Sequence, residues 1–487
     1  MTTKNRQADY SVINGISLDI FTETELRKIH NATLETLTEM GINITNQEAL
    51  DIFENAGAKV DRSNRRVKIP ADIIEEAIQS APSELLLAGR NPEHDLVLGK
   101  SRVNFTTFGP CNKIIDYQTG EYRDTAKEDV ADTARLVDYL DQVDIYSHAV
   151  SAIDSPEENT DLHEAEAFLN NTSKHCMHLN LTSGENAKKY FEMGAAVAGG
   201  MDKLRDRPLI SALVCPQSPY EIHGEAAQII IESARAGIPI NVLSMAMAGA
   251  TSPITLAGTL VEHNAEVLTG ITLAQLVNKG APVIYGSSTT IFDVAESTAP
   301  VGSPELGICN AGIARLAGYY NLPSYTAAGQ SDSKKSDIQA GHEKTMTMML
   351  PAMAGSNILY GLGMLELGVA FSHSQLVLDA EMARMVRRVI QGVDVNDYTM
   401  AVEDIKEVGP GGDFLTQQHT IDNMHSEQAR ADIFDRQMRS NWEASGSKTA
   451  KENAEERVKE IMESHEPEPL AEEIQAELKE IVESAKN

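Results

Sequence analysis

Eight short apolar runs recur about every 30 to 43 residues, and each is followed by a stretch with helical patterning. Several runs are apolar at consecutive positions, as expected for strands covered on both faces. The intervening stretches space their apolar residues as helices do; in 222–236, Ala226, Ile229, Ile230 and Ser233 share one side. The runs are 103–106, 145–150, 176–181, 209–214, 240–245, 283–286, 324–328 and 357–360.

This alternation of strands and helices predicts a parallel sheet. Eight units are the number that closes a barrel, so we predict the α/β class with a (β/α)8 TIM barrel. An open doubly wound sheet shows the same alternation. It is disfavoured because no glycine-rich dinucleotide-binding motif follows an early strand.

The chain is longer than a barrel requires. Its 487 residues, 42% of them hydrophobic, exceed the roughly 250 of a typical barrel. We therefore predict a helical N-terminal extension over 1–100, the barrel over 101–395, and a C-terminal segment over 396–487 that ends in an acidic helical tail.

Both extensions carry helix signals. Thr22 to Glu25 form a capping-box pattern that begins an amphipathic helix ending at Gly41. Further helices are predicted around 47–55 and over 70–79, and this extension is expected to cover the barrel or to make a subunit contact. In the tail, an apolar stripe of Leu470, Ile474, Leu478, Ile481 and Val482 indicates either docking on the same subunit or a contact with a partner.

Charge and composition exclude several classes of protein. The net charge of -31 disfavours nucleic acid and anionic membrane surfaces as partners. No apolar stretch reaches the length of a membrane span, and the first residues lack the apolar region of a signal peptide, so we expect a cytoplasmic protein. Four widely spaced cysteines indicate reduced, buried thiols, with a zinc site assembled from distant strands as the alternative.

Active sites of such barrels lie in the loops that follow the strands. This rule singles out polar and aromatic residues at strand ends. Strand histidines are more often core residues than catalysts, whereas the loop 329–337 places small, polar and charged residues directly on a strand end, with Asp337 capping the next helix. The candidates are Phe108, His148, His178, Asn180, Gln330, Ser331, Asp332, His342, Tyr360 and Phe371.

Four stretches carry a resemblance to a known family. Residues 249–268, 280–286, 361–379 and 409–415 are similar to the trimethylamine:corrinoid methyltransferase family, and the resemblance extends from the N-terminal helix to about Trp442. It implies a barrel enzyme that moves a methyl group from a methylated amine to the cobalt of a separate corrinoid protein. It also implies a cognate corrinoid protein as partner and a corrinoid carried by that partner instead of a tightly bound cofactor. A homo-oligomer is expected as well, with the two extensions as the candidate contacts.

The founding branch of that family carries pyrrolysine, whereas every residue here is one of the standard twenty. The resemblance therefore points to the relatives that demethylate quaternary amines, typified by glycine betaine. Proline betaine, carnitine and γ-butyrobetaine are alternatives. A quaternary ammonium leaves as a neutral tertiary amine, so neither a proton donor nor a metal is expected. A non-catalytic betaine-binding subunit and a zinc-dependent methyltransferase are the competing hypotheses.

Recognition of a betaine has two parts. Aromatic faces hold the methylated cation, and donors hold the carboxylate. From strand-end positions we expect Phe108, Tyr360 and Phe371 to contact the cation. Gln330 and His342 are expected to hold the carboxylate, and Asp332 either to orient them or to face the cation. The predicted substrate-contacting set is Phe108, His148, Asn180, Gln330, Ser331, Asp332, His342, Tyr360 and Phe371, with no metal ligand among them.

Overall fold

Residues 17–485 are described by a computed structural model. The N-terminal extension holds three helices and also five short strands that the sequence pattern did not suggest. Its elements are α1 (Glu23–Glu39), β1 (Ile42–Ile44), α2 (Gln47–Asn55), β2 (Lys59–Asp61), β3 (Arg66–Lys68), α3 (Ala71–Ser80), β4 (Leu85–Leu87) and β5 (Leu96–Leu98).

The middle of the chain alternates strands and helices. Its elements are β6 (Asn104–Thr107), β7 (Lys113–Ile115), β8 (Tyr122–Asp124), α4 (Lys127–Tyr139), β9 (Tyr146–Ser147), α5 (Thr160–Asn171), β10 (Cys176–His178), α6 (Gly184–Ala198), α7 (Met201–Asp206), β11 (Ile210–Val214), β12 (Glu221–Ile222), α8 (Gly224–Ala236), β13 (Ile240–Ser244), β14 (Met247–Ala248), α9 (Leu256–Val277), β15 (Val283–Ser287), β16 (Thr290–Ile291), α10 (Pro304–Tyr320), β17 (Ser324–Ala327), α11 (Ile338–Met353), β18 (Ile358–Leu362), β19 (Met364–Leu365), β20 (Ala370–Ser372) and α12 (His373–Ile390).

The eight predicted strands form one parallel sheet in the order β6-β18-β17-β15-β13-β11-β10-β9. A parallel bridge from Thr106 to Ile145 joins its two edges, and the Thr106 hydroxyl donates to the Ile145 carbonyl at 2.9 Å. The sheet is therefore a closed barrel with helices outside it, and the predicted (β/α)8 fold is confirmed.

Leucines of the β4–β5 hairpin fill one end of the barrel. Leu85, Leu87, Leu96 and Leu98 belong to the same buried cluster as inward-facing strand residues such as Met177. The same cluster includes Leu213, Leu243, Ile284 and Ile358. The interior is thus a packed core, and the hairpin closes the end opposite the strand-end loops.

The N-terminal extension covers the barrel, as one of the two predicted roles requires. Helices α1, α2 and α3 all contact α9, which is buried along most of its length. Buried Asn264 of α9 donates to the Tyr320 hydroxyl at 2.8 Å and to Thr33 of α1 at 2.9 Å. The predicted capping box of α1 is present, with Thr22 and Glu25 bonded reciprocally.

The last part of the chain adds α13 (Val402–Val408), α14 (Gln418–Glu427), α15 (Arg439–Ala444), α16 (Ala450–Ser464) and α17 (Glu472–Ser484). Helix α17 packs on α5 and α6 of its own barrel and buries Leu478 and Val482, so the tail docks on the same subunit. No helix within residues 17–485 is long and apolar enough to cross a membrane.

Between α12 and α16 the chain exposes many apolar side chains. We call residues 393–438 the arm. Leu415 is 81% exposed and Ile405 is 54% exposed. Other exposed apolar side chains of the arm are Val393, Val395, Tyr398, Met400, Val402, Phe414, Ile421, Met424 and Met438.

Candidate active site

A recess opens at the strand-end side of the barrel. Because strand residues alternate between faces, Cys215 and Met245 face inward like Leu213 and Leu243, which belong to the interior cluster. Cys215 is exposed, and Met245 is 46% exposed. Exposed side chains at inward positions mean that the interior is not filled at this level. We call this space the barrel recess.

The depth of the recess is visible at Cys215. Burial by surrounding protein raises the pKa of its thiol to about 12, although the residue itself is exposed. These two facts agree if the thiol lies deep in the protein and borders an open space. The sequence-based expectation of a buried thiol holds for Cys111, Cys176 and Cys309 but is wrong for Cys215.

Three aromatic rings form a stack beside the recess. Phe108 lies 4.0 Å from Tyr360 between ring centroids, and Tyr360 lies 4.6 Å from Tyr325. Both tyrosines are fully buried; the Tyr360 hydroxyl donates to the Ser287 carbonyl at 2.8 Å, and that of Tyr325 donates to Ser147 at 3.1 Å. Phe108 is only half-buried, so it is the ring of the stack that offers surface to a ligand.

Gln330 joins this stack. Its side chain is 2% exposed, and its amide interacts with the Tyr360 hydroxyl. The neighbouring strand leaves room for it only because residue 361 is glycine. A Cβ on Gly361 would lie 2.4 Å from both the Ala328 carbonyl oxygen and Gln330 Cγ, and the φ of +127° also favours glycine.

A buried ion pair holds the two loops that border Gln330. Lys344 of α11 donates to the Gly329 carbonyl at 2.7 Å and to the Asp379 carboxylate of α12 at 2.8 Å. Asp379 also accepts from the Gly363 amide at 2.7 Å. Burial lowers the pKa of Lys344 and raises that of Asp379. The pair thus fixes the backbone after β17 and after β18.

The rest of the loop after β17 is a hydrogen-bonded rim. The Asp332 carboxylate accepts from the Val301 and Gly302 amides at 2.7 and 3.1 Å, and burial raises its pKa. Ser331 donates to Glu343 at 2.7 Å. Asp337 caps α11 as predicted, accepting from the Ala340 amide at 3.0 Å.

Several predicted residues lie apart from the recess. His342 is exposed on the side of α11 opposite buried Ala340 and Lys344. Asn180 is exposed two residues beyond the end of β10, and its role in the site stays a prediction. Phe371 is fully buried in β20, where its ring packs against Gly363. Strand β20 pairs with β7 and β19 outside the barrel. Phe371 is therefore not placed to present its ring to a substrate in the recess, contrary to the expectation.

His148 faces the helices outside the barrel instead of the recess. Its ring lies 5.9 Å from Phe168 of α5 and 5.1 Å from the ring of His178. Inward-facing Ser147 precedes it, so alternation turns His148 outward. Burial lowers the pKa of both histidines and raises that of neighbouring Glu164 to about 8.

We did not predict Tyr325, Met245 or the Lys344–Asp379 pair from the sequence. In a strand whose residues are all buried, polarity does not distinguish the inner face from the outer face. Tyr325 would have been found by extending the two-residue period back from Ala327, which belongs to the interior cluster. Lys344 and Asp379 lie on separate helices, and no sequence signal links them.

Comparison with known proteins matches nearly the whole chain to one family. The model of the family described as "Trimethylamine methyltransferase (MTTB)" matches residues 2–487. A trimethylamine methyltransferase of Desulfitobacterium hafniense is 52% identical over 99% of this chain and 97% of that protein. One from Methanosarcina mazei is 45% identical over 100% and 99%, and a glycine betaine methyltransferase of D. hafniense is 33% identical over 94% and 95%.

Solved structures support the fold. The monomethylamine methyltransferase of Methanosarcina barkeri superposes with a TM-score of 0.53 at 14% identity, covering 100% of this chain and 92% of that one. A hydroxylamine complex of MtmB gives a TM-score of 0.54 at 14% identity, with 99% and 92% covered.

Proposed function

The chain belongs to the trimethylamine methyltransferase family, and from this premise we propose that it transfers a methyl group from a trimethylated nitrogen to the Co(I) of a separate corrinoid protein. It is a methyltransferase, as its family and relatives are. The observation that carries the proposal is the barrel recess, where half-buried Phe108 lies on a stack with Tyr360 and Tyr325.

The reaction exchanges one bond for another. Co(I) supplies the electron pair that forms the new bond to the methyl carbon, and the carbon–nitrogen bond breaks with its pair going to nitrogen. A quaternary amine then leaves neutral without a proton. Trimethylamine leaves as neutral dimethylamine only if its nitrogen is protonated first, so the two substrate types differ in their need for a proton.

The chain's own part is to bind and to orient. A methylated cation on the open face of Phe108 gains roughly 0.5 to 2 kcal/mol, depending on how far it is desolvated. Polarizable Met245 and Cys215 border the same space and add apolar contact. The main contribution of such a site to the reaction is to hold one methyl group toward the open end of the recess, where Co(I) can attack the methyl carbon.

Two compounds with a trimethylated nitrogen are the leading candidate substrates. Glycine betaine is the substrate that we predict, because the chain has no pyrrolysine. Gln330 remains the proposed donor to its carboxylate. His342 is withdrawn from that role because it lies on the solvent side of α11, opposite buried Ala340 and Lys344. Trimethylamine is the second candidate, favoured by the higher identity to trimethylamine methyltransferases, 52% against 33% for the glycine betaine enzyme.

The decisive experiment mixes the full-length protein with Co(I) cobalamin and one donor at a time: glycine betaine, trimethylamine or choline. Methylcobalamin is followed by its visible absorbance. We expect turnover with glycine betaine and negligible turnover with trimethylamine. Turnover with trimethylamine but not with glycine betaine would support the proposed reaction and contradict the proposed substrate. If no donor is demethylated although betaine binds measurably, the protein is a binding subunit.

A matched pair of variants tests the recess. Phe108→Leu should reduce kcat/KM about 10-fold, since it removes the accessible aromatic face. Phe21→Leu makes the same change at a half-buried phenylalanine that packs near Gly312, away from the recess, and should leave kcat/KM unchanged. Equal effects of the two substitutions would contradict the proposed site.

A further inference from the structure

His148, His178 and Glu164 form a buried cluster behind the strand ends. One ring nitrogen of each histidine and one oxygen of Glu164 lie within 4.8 Å of one another, and all three residues are fully buried. His148 directly follows β9, His178 ends β10, and Glu164 lies on α5. The cluster is therefore in the layer between the barrel and its helices, outside the recess.

Two atoms of this cluster have no hydrogen-bond partner among residues 17–485. His148 Nδ1 and Glu164 Oε2 are buried and unpartnered, and Glu164 Oε2 lies 3.6 Å from His148 Nε2. An unpaired buried polar atom costs free energy, so each of these two atoms calls for a partner that the described residues do not supply.

The other polar atoms of the cluster are anchored. His148 Nε2 donates to the Val150 carbonyl and His178 Nε2 to the Asp161 carbonyl, each at 2.8 Å, and Glu164 Oε1 accepts from the Ala152 amide at 2.9 Å. A histidine that gives one N–H to a backbone carbonyl presents its other nitrogen as a lone pair. This is the arrangement that orients metal-ligating histidines.

We propose that His148, His178 and Glu164 bind a divalent transition-metal ion, and we take Zn²⁺ as the probe because two imidazoles and one carboxylate form a known zinc ligand set. The His148 lone pair and the free Glu164 oxygen supply two ligands. His178 supplies the third through Nδ1, which now accepts only a 3.1 Å contact from the Asn180 amide.

The position of the cluster defines the role of the ion. It lies apart from the recess, so it takes no part in methyl transfer. It joins α5 to the ends of two neighbouring barrel strands and to the loop that continues from His148 to Ala152. Binding would stabilise this side of the barrel, because the ligands meet only in the folded chain.

The test measures metal content and affinity on the full-length protein. Wild-type protein from zinc-supplemented medium is assayed for metal, stripped with chelator, and titrated with Zn²⁺ by calorimetry and thermal unfolding. We expect about one equivalent bound and a rise in Tm on adding Zn²⁺. Glu164→Gln keeps the shape and the Oε1 contact and should weaken Zn²⁺ binding more than about 100-fold, beyond the usual loss for an orienting residue.

Two controls separate this site from other zinc-binding groups. Glu262→Gln removes a buried carboxylate on α9, outside the cluster, and Cys215→Ser removes the exposed thiol. Both variants should still bind about one equivalent of Zn²⁺, and adding Zn²⁺ should still raise their Tm. The proposal would be overturned if the wild-type protein bound no zinc, or if the Glu164→Gln variant bound Zn²⁺ with wild-type affinity. Water molecules in the cluster would then satisfy the unpaired atoms.

Discussion

Lys344 and Asp379 form an ion pair whose side chains are both completely buried, with 2.8 Å between Nζ and Oδ2. The lysine also reaches the backbone after β17, and the aspartate reaches the backbone after β18. The pair therefore links two helices and two loops next to Gln330. The pair acts mainly by fixing the geometry of those loops, because burying two charges costs desolvation free energy.

Lys344→Met should lower the free energy of unfolding by about 3 to 5 kcal/mol, because it leaves a buried carboxylate without its partner. Urea denaturation measures this loss. The exposed pair of Lys406 and Glu403 provides the control, and Lys406→Met should cost at most about 1 kcal/mol. The double change Lys344→Met with Asp379→Leu should regain part of the stability; failure to do so would assign the loss to packing.

Gln330→Leu should weaken glycine betaine binding about 10-fold, or about 1.4 kcal/mol, by removing a polar partner beside Tyr360. His342→Ala should leave the affinity unchanged because that side chain is exposed. Equilibrium binding of betaine to both variants checks the pair of expectations. A larger loss in His342→Ala than in Gln330→Leu would restore the histidine as the carboxylate ligand.

Glu262 makes stability depend on pH. Burial, together with nearby Glu266, raises its pKa from 4.5 to about 8. The folded state therefore favours the protonated acid, and the contribution of this group to stability is complete below pH 4.5 and is lost as pH rises through about 8. Glu262→Gln should gain stability relative to wild type as pH rises across this window. Parallel thermal unfolding curves of the two proteins from pH 5 to 9 provide the measurement, and a constant difference in Tm would contradict the assignment.

The arm should mediate contact between copies of the chain. Leu415→Glu combined with Ile405→Glu places charges on two strongly exposed apolar positions and should reduce the molar mass seen by light scattering. Lys406→Glu, a change at a neighbouring polar position, serves as the control. Wild-type protein that is already monomeric would refute the expectation.

The fold followed from the sequence where local signals and periodicity agreed. The capping box at Thr22 and Glu25 gave the start of α1, and the buried strands of the barrel were visible as consecutive apolar residues. The short strands of the N-terminal extension were missed because three-residue strands such as β2 carry little pattern.

The site was only partly predictable. Phe108, Gln330 and Tyr360 come together because strand ends share one side of a barrel. His148 was placed incorrectly in the site, since its face depends on the register of a two-residue strand that the sequence does not define. Its proximity to Glu164 and His178 depends on packing between helix and barrel, which leaves no spacing motif.

The leucine hairpin formed by β4 and β5 closes the far end of the barrel, and this has a kinetic consequence for the proposed reaction. The amine and the corrinoid protein must use the same entrance. The amine therefore binds first, and the demethylated product leaves only after the corrinoid protein has moved away. Initial rates should show a compulsory order of addition, with excess corrinoid protein inhibiting by blocking the entrance before the amine has arrived.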